Sequence, residues 1–130
     1  VDERIAACTR AITSGRLNQE NLALAFLNRG VEWAGLNDHD RALSDYNEAI
    51  RINPRDATAF YNLGIAWYNK RDYDRAVSDY SEAIRLNPQY ASAYHGRGLA
   101  WRNKREYEGK AYEDVTVRDA SPLIWTPLGE

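Results

Sequence analysis

ALAFLNRGVEWAGLNDHDRALSDYNEAIRINP at 23–54 and ATAFYNLGIAWYNKRDYDRAVSDYSEAIRLNP at 57–88 lie 34 residues apart and agree at 19 of 32 aligned positions. Self-similarity at a fixed period of this length marks a repeat architecture, in which each unit buries its apolar face only against its neighbours. A further step of 34 residues reaches ASAYHGRGLAWRNKREYEGKAYEDVTVRDASP at 91–122, whose first half fits and whose second half frays. Counting each unit from Ala23, Ala57 and Ala91, position 4 is Phe26, Phe60 and Tyr94; position 8 is Gly30, Gly64 and Gly98; and position 11 is Trp33, Trp67 and Trp101. Position 32 is Pro54, Pro88 and Pro122.

Apolar residues at positions 4, 8 and 11, then at 20, 24 and 27 (Ala42, Tyr46, Ala49; Ala76, Tyr80, Ala83), recur at the three- and four-residue spacing of helices. Each unit therefore reads as two antiparallel helices, the first from about Asp56 to Asn69 and the second from about Asp72 to Leu86 in the middle unit. Glycine at position 8 and alanine at 20 and 27 let backbones approach, and the aromatics fill the space between successive helices. Asp38 and Asp72 suit the start of the second helix, and the Asn-Pro pairs at 53–54 and 87–88 end it. In the third unit Lys110 and Asp114 replace the alanine and tyrosine of positions 20 and 24, so its second helix is expected to be shorter, shifted or loosely packed.

The bulky-x2-Leu-Gly-x2-aromatic pattern, then Ala-x3-aromatic, then proline resembles the tetratricopeptide repeat family over about residues 21–108. Position 7 departs from that pattern, being Arg29, Leu63 and Arg97. The resemblance implies an all-α fold, a right-handed superhelical α-solenoid of antiparallel helix pairs with about three repeats. A single domain is expected, with repeats at 21–54, 55–88 and 89–122 and an apolar tail at 123–130. Residues 2–14 read as a half-repeat, a lone second helix with Cys8, Ala11 and Ile12 standing where Tyr46, Ala49 and Ile50 stand later.

The family's concave groove is lined by positions 2, 5, 6, 9, 12 and 13 of the first helices. Carried onto this chain, that implies a peptide groove of Leu27, Asn28, Val31, Tyr61, Asn62, Ile65, Tyr68, Asn69, His95, Leu99, Arg102 and Asn103. Aliphatic walls bury partner side chains and asparagine amides pair with partner backbone. The competing reading of position 9 is packing between adjacent first helices. The carboxylate clamp by which some members grip chaperone tails would need basic and amide groups where this chain has Leu27, Val31, Asn62, Ser92 and Gly96; only Asn62 fits. The expected function is an adaptor that holds a peptide or helix of a partner protein. The alternative is a self-assembling module that uses the C-terminal end and tail, in which Leu123, Ile124, Trp125 and Leu128 lie between or beside prolines.

Chemistry leaves few traces. His39 and His95 lie in different units without a second histidine or cysteine at ligand spacing, so neither metal nor cofactor is expected. Cys8 reads as a small residue of a packed helix face, and no phosphate loop, nucleophile elbow or zinc-protease motif occurs, so no enzyme is expected. Lys70, Arg71, Lys104 and Arg105 could form a basic ridge, but acidic residues follow each pair and the net charge is -2, which favours a solvated turn over nucleic acid. Asp45, Glu48, Asp79 and Glu82, near Arg41, Arg51, Arg75 and Arg85, read as the wet face of the second helices. No stretch is apolar enough to span a membrane. The absence of methionine points to a processed or trimmed start at Val1 and leaves room for an upstream targeting segment. The ACTRAI opening followed by AIRLNP-type repeats resembles exported bacterial members of the family, which implies a periplasmic or secreted setting, with the cytoplasm as the alternative.

Overall fold

The computed structural model describes residues 2–116. Among these residues the chain forms six helices and no strand: α1 (Glu3–Thr13), α2 (Gln19–Gly35), α3 (His39–Ile52), α4 (Ala57–Asn69), α5 (Tyr73–Leu86) and α6 (Ala91–Thr116). The aspartates expected to start helices do so through their side chains. Asp38 accepts from the Arg41 N–H and Asp72 from the Arg75 N–H, each at 3.1 Å. Before each of them one residue takes a left-handed conformation, Asn37 at φ 62° and Arg71 at φ 66°, which reverses the chain between paired helices. At the far end Asn53 and Asn87 leave helical geometry ahead of proline, and their side chains accept from the Arg55 and Gln89 N–H groups at 3.2 Å.

The helices form an α-solenoid of antiparallel pairs: α2 packs on α3 and α4 on α5, with α1 against α2. The first helices also touch one another, α2 with α4 and α4 with α6, whereas α3 and α5 do not meet. Close first helices and splayed second helices curve the stack, with α2, α4 and α6 on its inner side.

Alanine allows the close approach. Ala42, Ala76 and Ala83 are fully buried, as are Ala59, Ala93 and Ala100 at positions 3 and 10, which periodic reading of the larger residues passes over. A Cβ built on Gly30 would lie 2.5 Å from the ring of Tyr46, and one on Gly64 would lie 2.8 Å from the ring of Tyr80. The packing explanation for position 8 stops there, because among the described residues a Cβ on Gly98 would meet nothing within 4 Å. The tyrosine that would fill that notch is Asp114 in this unit. Gly98→Ala is accordingly expected to raise stability by about 1 kcal/mol through helix propensity. Gly64→Ala is expected to lower it by about 1–3 kcal/mol through overpacking, and urea titration of the two variants reads both.

The third unit differs from the expected short or shifted second helix. α6 runs unbroken through the place where α2 and α4 end. Glu106 stands at the capping position of Asp38 and Asp72, and its longer side chain is a poorer N-cap. Without that cap, and with Lys110 where a buried alanine is needed, nothing stabilises a turn and a second helix against the first. Residues 117–130, including the end of the third unit and the apolar tail, lie outside the described residues.

Candidate peptide groove

Most of the residues that the family pattern assigns to a groove are accessible on α2, α4 and α6. Val31 is 44% exposed, Asn28, Asn69, His95 and Arg102 are exposed, and Asn62, Ile65 and Leu99 are half-buried. Val31, Ile65 and Leu99 share position 9 of the three first helices and are each at least partly accessible. Leu27 is the exception: at 6% exposure it belongs to the core with Leu43, Tyr46 and Leu63 and offers nothing to a ligand. At position 5 of the first unit, leucine closes the core where Tyr61 and His95 project further.

Two groove residues are partly committed to the fold. Tyr61 packs its ring 5.0 Å from that of Tyr90 and 5.8 Å from that of Tyr80. The Tyr68 hydroxyl accepts from the Asn103 amide at 2.7 Å, and its ring meets Tyr73 edge-on at 5.5 Å. Asn103 donates again to the Leu99 carbonyl at 2.9 Å, so its amide nitrogen braces α6 against α4 and is not free for a partner. Between α4 and α6 a shallow depression is lined by Tyr61, Tyr80, Ala91, Ser92, His95, Gly96 and Leu99. Gly96 was not expected as a groove residue. A Cβ there would lie 2.7 Å from the tip of Tyr80, and the signal for it is glycine at position 6 where the first two units carry asparagine.

None of the inner positions 2, 5, 6, 9, 12 and 13 holds a carboxylate, although the chain has 19 acidic residues. The acids are placed elsewhere. Lys70 bonds Asp40 and Lys104 bonds Asp74, each at 2.7 Å, one repeated bridge between successive units. Arg71 and Arg105 are exposed beside these bridges. Glu48 pairs with Arg51 and Glu82 with Arg85, as expected of a wet face. Asp45 overturns that reading for its own position. Its carboxylate is 5% exposed and receives two bonds of 2.8 Å from Arg29, whose third nitrogen donates to the Thr9 hydroxyl at 3.1 Å. This explains why arginine replaces leucine at position 7 of the first unit: it ties α1, α2 and α3 together.

In the second unit position 7 is Leu63, and among the described residues Asp79, the counterpart of Asp45, has no such partner. Burial, then the nearby Glu82, push its carboxyl up to about 6 despite Arg75. The folded state thus holds a proton that the unfolded chain releases near pH 4. Stability from this group is full below that pH and is lost as pH rises to about 6, an effect of about 1–2 kcal/mol once solvent screening of this partly exposed carboxyl is discounted. Asp79→Asn is expected to flatten that part of the stability curve and to raise the melting temperature at neutral pH relative to the parent chain. Cys8 is half-buried on α1, and burial raises its thiol pKa despite the nearby Arg29. Among the described residues no group of three or more His, Cys, Asp and Glu is placed to hold a metal ion.

The tetratricopeptide repeat family model matches residues 27–91 and 68–122. The chain belongs to the tetratricopeptide repeat family. Proteins of this family are scaffolds that bind protein partners and are generally not enzymes. Solved structures titled as MamA share the fold: one at 24% identity with a TM-score of 0.69, covering 88% of this chain and 66% of the other. A second shows 22% identity and a TM-score of 0.70, covering 90% of this chain and 67% of the other. A third shows 16% identity and a TM-score of 0.66, covering 95% and 68%. The chain thus spans about two thirds of the length of these tetratricopeptide repeat solenoids. Comparison with curated proteins gives no match. No described helix is long and apolar enough to cross a membrane.

Proposed function

We propose that this chain holds a segment of a partner protein in the groove formed by α2, α4 and α6. The observation that carries the reading is the inner face itself: an aliphatic row of Val31, Ile65 and Leu99, a depression beside Tyr61 and His95, and no carboxylate on any lining position. Aliphatic side chains of a partner would lie on the row, and its backbone would pair with the amides of Asn28, Asn62 and Asn69. Arg102 is the groove's exposed strong base, so an acidic residue of the segment belongs at the α6 end. The bases around the groove that could oppose a second acid, Lys70 and Lys104, already hold Asp40 and Asp74.

The test is selection of peptides from a random display library on the full chain, followed by affinity measurement with groove variants. Val31→Glu combined with Leu99→Glu places charge on exposed or half-exposed sites without opening the core. It is expected to weaken selected peptides by at least about tenfold, the loss of one well-buried anchor. Arg51→Ala on the outer side of α3 should leave them unchanged. Peptides indifferent to the groove pair would contradict the reading. Tyr61 and Tyr68 are less suitable targets, because both brace neighbouring helices.

The alternative is self-association through the C-terminal end, supported by Tyr94 and Trp101, which are 45% and 46% exposed on α6. Light scattering of the full chain over a wide concentration range tests it, since a constant monomer mass would exclude it.

A further inference from the structure

The outer side of α6 repeats a surface that is covered in both preceding units. In the first unit Gly30 receives the ring of Tyr46 while Arg29 receives the carboxylate of Asp45, both from α3. In the second unit Gly64 receives Tyr80 from α5. The aligned pair on α6 is Arg97 and Gly98. Arg97 is already held as Arg29 is: its guanidinium lies 5.4 Å from the Tyr94 ring, as that of Arg29 lies 5.5 Å from the Phe26 ring. Among the described residues, however, Arg97 has a hydroxyl, Ser81 Oγ at 3.1 Å, where Arg29 has a carboxylate, and Gly98 has no ring against it.

The tryptophans tell the same story. Arg41 and Arg75, from the second helices, each lie 4.6 Å over Trp33 and Trp67. Among the described residues Trp101 has only Lys104 of its own helix, at 5.1 Å, and it is 46% exposed. Among the described residues, then, an unfilled notch, a cation without its carboxylate and an indole without its arginine lie along one face of one helix.

We propose that this face docks a helix of a partner protein carrying Arg-Ala-x2-Asp-Tyr, the pattern of 41–46, which completes the third pair from outside. Arginine would lie over Trp101, alanine would let the backbones approach, aspartate would pair with Arg97 and tyrosine would enter the notch at Gly98. The chemistry of the occupant is read from the two pairs inside this chain, and the unmatched charge of Arg97 fixes its sign. Other occupants fit less well. A second copy's α1 presents Arg4, Ala7 and Cys8 at the alanine, aspartate and tyrosine places, and residues 110, 113 and 114 of this chain present Lys, Glu and Asp. This site lies on the opposite side of α6 from the groove, so the two proposals fail separately.

The probe is a synthetic peptide of this chain's own residues 38–53, added to the isotopically labelled full chain. Saturable amide shifts are expected at Tyr94, Arg97, Gly98 and Trp101. Peptide Tyr46→Ala and protein Gly98→Leu, which fills an open notch and leaves the core alone, should each weaken binding by about tenfold or more. Protein Arg97→Glu should abolish binding of the parent peptide and restore it for peptide Asp45→Arg, a rescue that a merely damaged fold would not show. The proposal is overturned by no saturable shift, by shifts centred on Gly30 through exchange with α3, or by indifference to the charge swap. It is equally overturned by binding only after the chain is cut at Ser121, which would make the remaining C-terminal residues the occupant.

Discussion

Asp45→Ala is expected to lower the unfolding free energy by about 3–5 kcal/mol, the loss typical of removing one partner from a buried ion pair. The side chains of Asp45 and Arg29 are 5% and 20% exposed, and two bonds of 2.8 Å join them in the side-by-side geometry that suits guanidinium and carboxylate. Alanine would leave Arg29 with one hydroxyl partner, Thr9, and a desolvated charge. Because Arg29 also reaches α1, the damage should be largest at the N-terminal end, with faster hydrogen exchange in α1 and α2 than in α5. The second unit supplies the repair. Arg29→Leu copies Leu63, and combined with Asp45→Asn it removes both charges; this double variant should recover most of the loss. Denaturant unfolding of the two variants beside the parent decides the matter, and equal stability of Asp45→Ala and parent would show that the pair contributes nothing.

Tyr80→Ala is expected to cost about 4 kcal/mol, within the range for deleting a buried aromatic ring. Tyr80 is 3% exposed and its ring lies in two glycine notches at once, Gly64 of α4 and Gly96 of α6. It therefore joins three helices at the centre of the second core cluster. The alanines around it, Ala76, Ala83, Ala93 and Ala100, are already fully buried and too short to fill the space it would leave. Tyr80→Phe keeps the ring and should cost less than about 1.5 kcal/mol. Tyr80 also floors the depression beside Tyr61 and His95, so the alanine variant should weaken any groove peptide while the phenylalanine variant should not.

The parts of this fold that recur were readable from one sequence. Two copies of Gly, Trp, Ala and Tyr at the same positions state the contacts between paired helices, and the structure places Tyr46 on Gly30 and Tyr80 on Gly64. Aspartate before each second helix and Asn-Pro after it mark ends to within a residue, because a cap and a missing N–H act locally. What occurs once was not readable. The Arg29–Asp45 pair was hidden because several acids and bases sit at helical spacing on α3, and their spacing alone suits a solvated face as well as a buried pair. The length of α6 was hidden because its turn fails through a single added methylene, Glu106 for aspartate, reinforced by a lysine where alanine is needed. Leu27 was assigned to the groove on position alone, which ignores that the side chain at the same place in the next units is larger and reaches solvent.

For the site, the residue types of the inner face were legible through the family pattern, whereas their availability was not. Asn103 and Tyr68 spend their polar atoms on each other, and Gly96 gains its place only because Tyr80 passes beneath it. Exposure and hydrogen-bond partners are properties of three helices together, and no single repeat contains them.

The most direct measurement is amide chemical-shift mapping of the labelled full chain with a peptide selected on it. The account requires the largest saturable shifts at Val31, Asn62, Ile65, His95 and Leu99, on the inner sides of α2, α4 and α6. Shifts confined to the outer faces of α3 and α5, with the inner row unmoved, would contradict it.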